Sequence, residues 1–246
     1  MGDWARPLRY LGLTGLLAFA SSGLAQYTMD LTGVGDGAVA GGVYVSPYQG
    51  TISQNGKQLY AGYVICDDFN TNSYLDSPFS ATETNANSLN GTEKFGNVQY
   101  TDPNGDGKLW SAGKVFTAAQ DYDAVAWLAN QLLANPSVNN PSSPVQAEYS
   151  FAIWDIFDGQ TTGGTATSSL ITAAFAAVLG GYQGSNVDVF TPSSQNLGGK
   201  NASQEFLVVN GPAIATPEPA AAGLLLFDLL SVLGIVLLVW RYRVRA

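Results

Sequence analysis

Histidine is absent from all 246 residues, and there is one cysteine. No Ser-His-Asp triad, no Cys-His dyad and no His-ligated metal centre can be assembled from such a chain. A single cysteine also excludes an internal disulfide framework and any four-cysteine zinc or iron–sulfur site. Charge is scarce as well, at 12% of residues, about half the usual share for a soluble domain. All five arginines lie in the outer segments 1–25 and 220–246. The body between them, 26–219, carries five lysines against 17 acids, a net charge of −12. A surface of that sign without arginine excludes nucleic acid and anionic lipid as partners, since both need basic contacts. Hydrophobic residues still make up 46%, enough for a sizeable core.

The two ends read as addresses. Arg6 and Arg9 precede an apolar run from Tyr10 to Ala20, and Gly23 and Ala25 supply a small-x-small site before Gln26. A basic region, a short apolar region and small residues form a secretory signal, expected to be cut after Ala25 by signal peptidase as the chain leaves the translocon. The run is too short to span about 30 Å of hydrocarbon. At the other end Ala220–Trp240 gives 21 residues dominated by apolar side chains, long enough to cross a bilayer. Arg241, Arg243 and Arg245 follow, and the positive-inside rule keeps this tail, 241–246, cytoplasmic and the body outside. Asp228 is discordant in that span, because a carboxylate at membrane depth is expensive.

The residues just before the span are Thr216-Pro217-Glu218-Pro219, at the end of a linker over 210–219. Pro217-Glu218-Pro219, one apolar span and an arginine-rich terminus resemble the PEP-CTERM sorting signal of Gram-negative bacteria. That resemblance covers about 30 residues, 217–246. It implies an inner-membrane intermediate, recognition and removal of the tail by an exosortase-type membrane protease, and release to the cell surface or medium. Thr216 stands where the family often has valine. The two prolines keep the segment extended and unpaired, as a protease substrate must be.

Within 26–209 the pattern predicts one α+β domain: a strand-rich N-terminal part, about three central helices and C-terminal strands. Gly41–Val45, Leu59–Cys66 and Lys94–Tyr100 read as strands, with turn signals at Ser46-Pro47 and Asn55-Gly56. A helix capped by Asp121 or Asp123 carries Val125, Leu128, Ala129 and Leu132 and stops at Asn135-Pro136. A second starts from the capping box Ser143-Pro144-Val145-Gln146, with Val145, Tyr149, Ala152, Ile153 and Ile156 on one face, and ends at Asp158-Gly159. A third runs from Ser169 to Leu179. Val187–Phe190 and Glu205–Val209 read as strands, with 191–203 as loop.

Three landmarks in this order, Val64-Ile65-Cys66-Asp67-Asp68-Phe69, Ala124-Val125-Ala126-Trp127-Leu128 and Ala152-Ile153-Trp154-Asp155-Ile156-Phe157, resemble those of thioester-type surface domains. The resemblance spans about 60–160. It implies a cysteine on a strand bonded to a glutamine two residues before the Ala-Ile-Trp stretch, an internal thioester able to acylate a target surface. Cys66 matches the cysteine, but the glutamine position holds Ser150. Gln146 lies one helical turn earlier and is suited to the helix cap. The expectation is a relative of that fold without the crosslink, with Trp127 and Trp154 as core aromatics.

Three candidate chemistries remain. Cys66, flanked by Asp67 and Asp68 and with no cation beside it, reads as a buried thiol, against an intermolecular disulfide or a reactive ester. Asp102, Asn104 and Asp106 resemble the opening of a calcium loop, but the twelfth position is Gly113, so an ordinary Asx-rich turn stands beside a weak calcium turn. Asp155 with Asp158, or Asp121 with Asp123, could form the acid pair of a carbohydrate hydrolase, against a role as caps and solvated faces. The favoured expectation is a protein that is not an enzyme, needs no cofactor, and has a structural or adhesive role in the exopolysaccharide or biofilm layer. Its abundant Asn, Thr, Ser and Tyr suit neutral hydrogen bonding and stacking with polysaccharide. The alternatives are a covalent adhesin using Cys66 and an acid-pair hydrolase.

Overall fold

A computed structural model describes residues 26–96, 116–158, 164–193 and 203–210. The sorting motif Pro217-Glu218-Pro219, the span 220–240, the arginines after it, the signal 1–25 and the turn at Asp102, Asn104 and Asp106 lie outside the described residues. The described residues all fall in the unit Leu24–Thr216. Among them, no helix is long and apolar enough to cross a membrane.

Six strands close into an antiparallel barrel in the order β1 (Gln26–Gly33), β4 (Tyr48–Gln54), β5 (Lys57–Cys66), β8 (Phe206–Val209), β7 (Val187–Pro192), β6 (Phe79–Asn85). The barrel interior is read from period-two alternation: Tyr27, Met29 and Leu31 are buried while Gln26 and Thr28 between them are exposed. Closing the sheet removes every edge but two short ones, and it joins chain segments far apart in sequence. β5 pairs with β8 through Ile65↔Leu207 and Cys66↔Phe206, so the C-terminal strands complete the N-terminal sheet rather than forming a separate part. β4 and β5 are linked by the expected Asn55-Gly56 turn, both residues at positive φ (52° and 75°), which fits a tight hairpin.

Three helices, α1 (Ala118–Ala134), α2 (Val145–Asp158) and α3 (Gly164–Leu179), pack on one another, and α1 also packs on β8. α2 is almost entirely buried from Ser150 to Phe157. Its apolar surface wraps around the helix, as expected for one sandwiched between neighbours.

Several expectations need correction. α1 is capped by Thr117, not by Asp121 or Asp123: the Thr117 side chain accepts from the Gln120 N–H (3.3 Å), and the Gln120 side-chain Oε1 accepts from the Thr117 N–H (3.1 Å). Thr-x-x-Gln is itself a capping box, so a neutral pair starts the helix one turn before the acids. α3 begins at Gly164 rather than Ser169, because hydroxyls in its polar first turns bond back to carbonyls four residues earlier, as Ser169 does to Thr165 (3.0 Å). Gly41–Val45 is not one strand. Gly41 and Gly42, at φ 60° and 83°, turn β2 (Val39–Ala40) back onto β3 (Val43–Tyr44). Lys94–Gly96 form a turn rather than the start of a strand, held by the buried Glu93, whose carboxylate accepts from the Asn90 and Gly91 N–H groups (2.8 and 2.9 Å). Trp127 is half-buried at the margin of the core, whereas Trp154 lies inside it.

Candidate functional site

β5 runs from solvent-exposed Lys57 into a fully buried end, Val64-Ile65-Cys66, which is covered on one side by barrel interior and on the other by α2. Two residues of α2 one turn apart meet this strand end. Trp154 donates its Nε1–H to the Cys66 carbonyl (3.0 Å), and its ring lies 5.1 Å from Phe69 and 5.5 Å from Phe151, centroid to centroid. Ser150, one turn earlier, accepts the Ser46 N–H at Oγ (2.9 Å), and Ser46 Oγ accepts the Cys66 N–H (3.0 Å). All three polar side chains or thiols in this relay, Ser46, Cys66 and Ser150, are fully buried. The positions that the sequence pairs, Cys66 and Ser150, are therefore brought together, one serine apart.

The relay leaves Cys66 through its backbone N–H; the thiol donates instead to the Asp68 carbonyl (3.2 Å). Burial pushes its pKa well up, and the Asp68 and Asp67 carboxyls push it further the same way. A thiol kept protonated in a site closed to solvent is a poor nucleophile. Gln146 does not close the helix cap as expected; its amide is buried and donates to the Val138 carbonyl, one turn away from the Cys66 region. Replacing Trp154 by Phe keeps the ring and removes the N–H. That substitution is expected to lower the unfolding free energy by about 2 kcal/mol in a denaturant titration, since the Cys66 carbonyl loses a buried donor and the core loses ring volume.

No known protein-family profile matches this chain, and no curated protein matches it. Among solved structures it is similar to the N-terminal thioester domain of the fibronectin-binding protein SfbI from Streptococcus pyogenes, at 9% identity and a TM-score of 0.38, over 77% of this chain and 95% of that one. It is similar also to the N-terminal domain of the Streptococcus pyogenes pilus tip adhesin Cpa, at 11% identity and a TM-score of 0.37, over 76% and 94%.

Beside the thiol lies a buried acid cluster that sequence reading did not assemble. Asp67 follows β5 and Glu205 precedes β8, so the β5–β8 register sets them side by side, with the Asp67 N–H donating to the Glu205 carbonyl (3.4 Å). The Glu205 carboxylate accepts from the Tyr122 hydroxyl of α1 (2.5 Å), the Lys94 N–H (2.8 Å) and the Thr191 hydroxyl of β7. Neither Asp67 side-chain oxygen receives a donor among the described residues. With every donor aimed at Glu205 and none at Asp67, Glu205 is the better-stabilised carboxylate and Asp67 the one that burial keeps protonated. Burial, followed by the neighbouring Glu205 and Asp68 charges, drives the Asp67 pKa well up. Asp68 is held differently: its Oδ2 is ion-paired with the Lys94 ammonium, which also donates to Thr71 (2.6 Å), while its Oδ1 has no partner among the described residues. Among the described residues, no group of three or more Cys, Asp or Glu side chains is arranged to hold a metal ion.

The acids named as hydrolase candidates are dispersed. Asp123 accepts the Gly184 N–H (2.8 Å) and anchors the turn before β7. Asp158 accepts from the Phe69 N–H (2.7 Å) and the Asn70 amide (2.9 Å), tying the loop after β5 to the end of α2. Asp155 is buried, and burial raises its pKa to about 6. Asp121 is buried in the first turn of α1.

Proposed function

We propose that this chain is an exported surface or extracellular-matrix protein of a Gram-negative bacterium, acting without catalysis as a structural or adhesive component of the exopolysaccharide or biofilm layer. The observation that carries the non-covalent reading is the thiol itself: Cys66 Sγ is sealed from solvent and donates to the Asp68 carbonyl, while Ser150, at the glutamine position of the thioester resemblance, has no acyl group and is bonded to the Ser46 N–H. Delivery rests on the ends of the sequence. The signal over 1–25 directs export through the translocon, the span 220–240 with Arg241, Arg243 and Arg245 holds an inner-membrane intermediate, and an exosortase-type protease removes the tail at Pro217-Glu218-Pro219. Export also agrees with an acidic, arginine-free body.

The test is the intact mass of protein recovered from its host's surface and medium, with and without a thiol-alkylating reagent. The expected product begins at Gln26, ends near Pro217–Pro219 and has lost no ammonia. It takes up one alkyl group only after unfolding. A mass retaining the arginine tail would replace the sorting reading with a membrane-anchored ectodomain. A mass one ammonia lighter, with no alkylation even when unfolded, would establish the covalent adhesin using Cys66.

A further inference from the structure

Five large apolar residues stand exposed among the described residues: Val39, Tyr44, Tyr74, Leu75 and Leu179. Three of them, Tyr44, Tyr74 and Leu75, line one cavity of about 320 Å³, and Val39 is the cross-strand partner of Tyr44. Exposed apolar area in a soluble domain is usually scattered, so its concentration at one concavity marks a binding surface. The cavity lies between the β2–β3 hairpin and the loop after β5. Its floor is aromatic, made by Tyr48, Phe69 and the edge of Trp154. Its remaining lining includes Asn72, Ser73 and Gln204, uncharged groups with donors and acceptors. Among the described residues no Asp, Glu, Lys or Arg lines it, although the body carries a net charge of −12; the Lys94–Asp68 pair stands behind the lining residue Thr71.

That lining selects its ligand by chemistry. With Lys94, the cation behind Thr71, already paired to Asp68, phosphate, sulfate and uronate would enter unneutralised against an acidic protein. Without a carboxylate, a basic peptide has no partner. Tyrosine rings at 49% and 47% exposure offer flat apolar faces with hydroxyl tips in water. Asn72 is exposed at the cavity's edge, where its amide can serve a ligand. Apolar ring faces flanked by neutral amide and hydroxyl groups match a pyranose, whose C–H face stacks on an aromatic ring while its rim of hydroxyls needs both donors and acceptors.

We infer that the Tyr44–Tyr74 cavity is a binding subsite for a neutral hexose polymer. The inference rests on the matrix reading above and gives it a site, a ligand class and two stacking platforms. The loop carrying Tyr74 is fixed from behind, since Phe69 and Asn70 are held by Asp158 and Thr71 by Lys94. The cavity therefore stands largely pre-formed, which limits the entropy lost on binding.

The experiment is calorimetric titration of the full chain, kept in a sugar-free detergent, with cellohexaose and β-1,4-mannohexaose, and with a hexagalacturonate as the charged comparison. Binding of at least one neutral hexamer is expected, and Tyr44→Ala and Tyr74→Ala are each expected to weaken it about tenfold. Tyr74→Phe, which keeps the ring, and Leu179→Ala, outside the cavity, should stay within about twofold. The proposal is overturned if neither neutral hexamer binds at millimolar concentration, if binding ignores both tyrosines while the variants remain folded, or if the galacturonate binds as tightly. This outcome is independent of tail processing, which the mass measurement reads separately.

Discussion

Truncating Glu205 to alanine is expected to lower the unfolding free energy by about 4 kcal/mol, a large fraction of what a domain of this size possesses. Glu205 is fully buried and gathers donors from three separate elements: Tyr122 on α1, Thr191 on β7 and the Lys94 turn. Removing it orphans those donors. Each unpaired buried group costs about 1–3 kcal/mol, and water entering the new cavity recovers part of that total. Tyr122→Phe removes one donor from the carboxylate, which keeps those of Lys94 and Thr191, and leaves the Phe95 N–H without its acceptor (3.2 Å), so its cost should be nearer about 2 kcal/mol. Glu205→Gln keeps the volume but turns an amide toward donors, and should fall between the two. Denaturant midpoints and slopes of the three variants check the ranking. Equal losses for Glu205→Ala and Tyr122→Phe would mean that Glu205 holds α1 alone and does not join three elements.

What the sequence made legible follows where local signals are strong. The Asn55-Gly56 hairpin, the long apolar end of β5 and the buried face of α2 each declare themselves within a dozen residues. The convergence of Cys66 with the helix bearing Ser150 and Trp154 was also legible, because the order of landmarks carries it. The barrel was not. The outward positions of β1, β4 and β6 are largely Thr, Ser and Gln, so their composition is that of a loop, and for β1 and β6 only pairing partners far along the chain make them strands. The acid cluster was hidden for the same reason. Asp67 and Glu205 lie 138 positions apart, and nothing local to either announces the β5–β8 register that joins them. Ser46, which bridges Cys66 to Ser150, reads in sequence only as the residue before a turn proline. The cavity was foreshadowed in composition, by abundant Tyr, Asn and Ser, but its position depends on a hairpin and a loop that only the closed barrel brings together.

The Asp67 proton gives the fold a pH dependence whose sign is opposite to that of most acidic proteins. Unfolded, this carboxyl titrates near its ordinary value of about 3.9. Folded, burial and the adjacent Glu205 hold the proton far above that. Below pH about 4 both states are protonated and stability is flat. As pH rises further the unfolded chain releases a proton that the folded chain retains, so stability falls, by up to about 1.4 kcal/mol per pH unit for each such group. Asp155, buried and raised to about 6, adds a second contribution of the same sign that is complete near pH 6. Asp67 by itself retains its proton across those three units, so net stability is expected to drop by about 4 kcal/mol or more between pH 4 and pH 7, measured by urea denaturation. Asp67→Asn puts a neutral amide of the same shape beside Glu205. It should match the wild type near pH 4, exceed it by about 4 kcal/mol near pH 7, and leave the residual slope caused by Asp155 and the other acids that burial raises, Glu83, Asp123, Asp158 and Asp188. A wild-type maximum at neutral pH, or an Asp67→Asn variant weakened equally at both ends, would mean that Asp67 is ionised in the folded protein and that the pair is held by a cation rather than by protonation of Asp67.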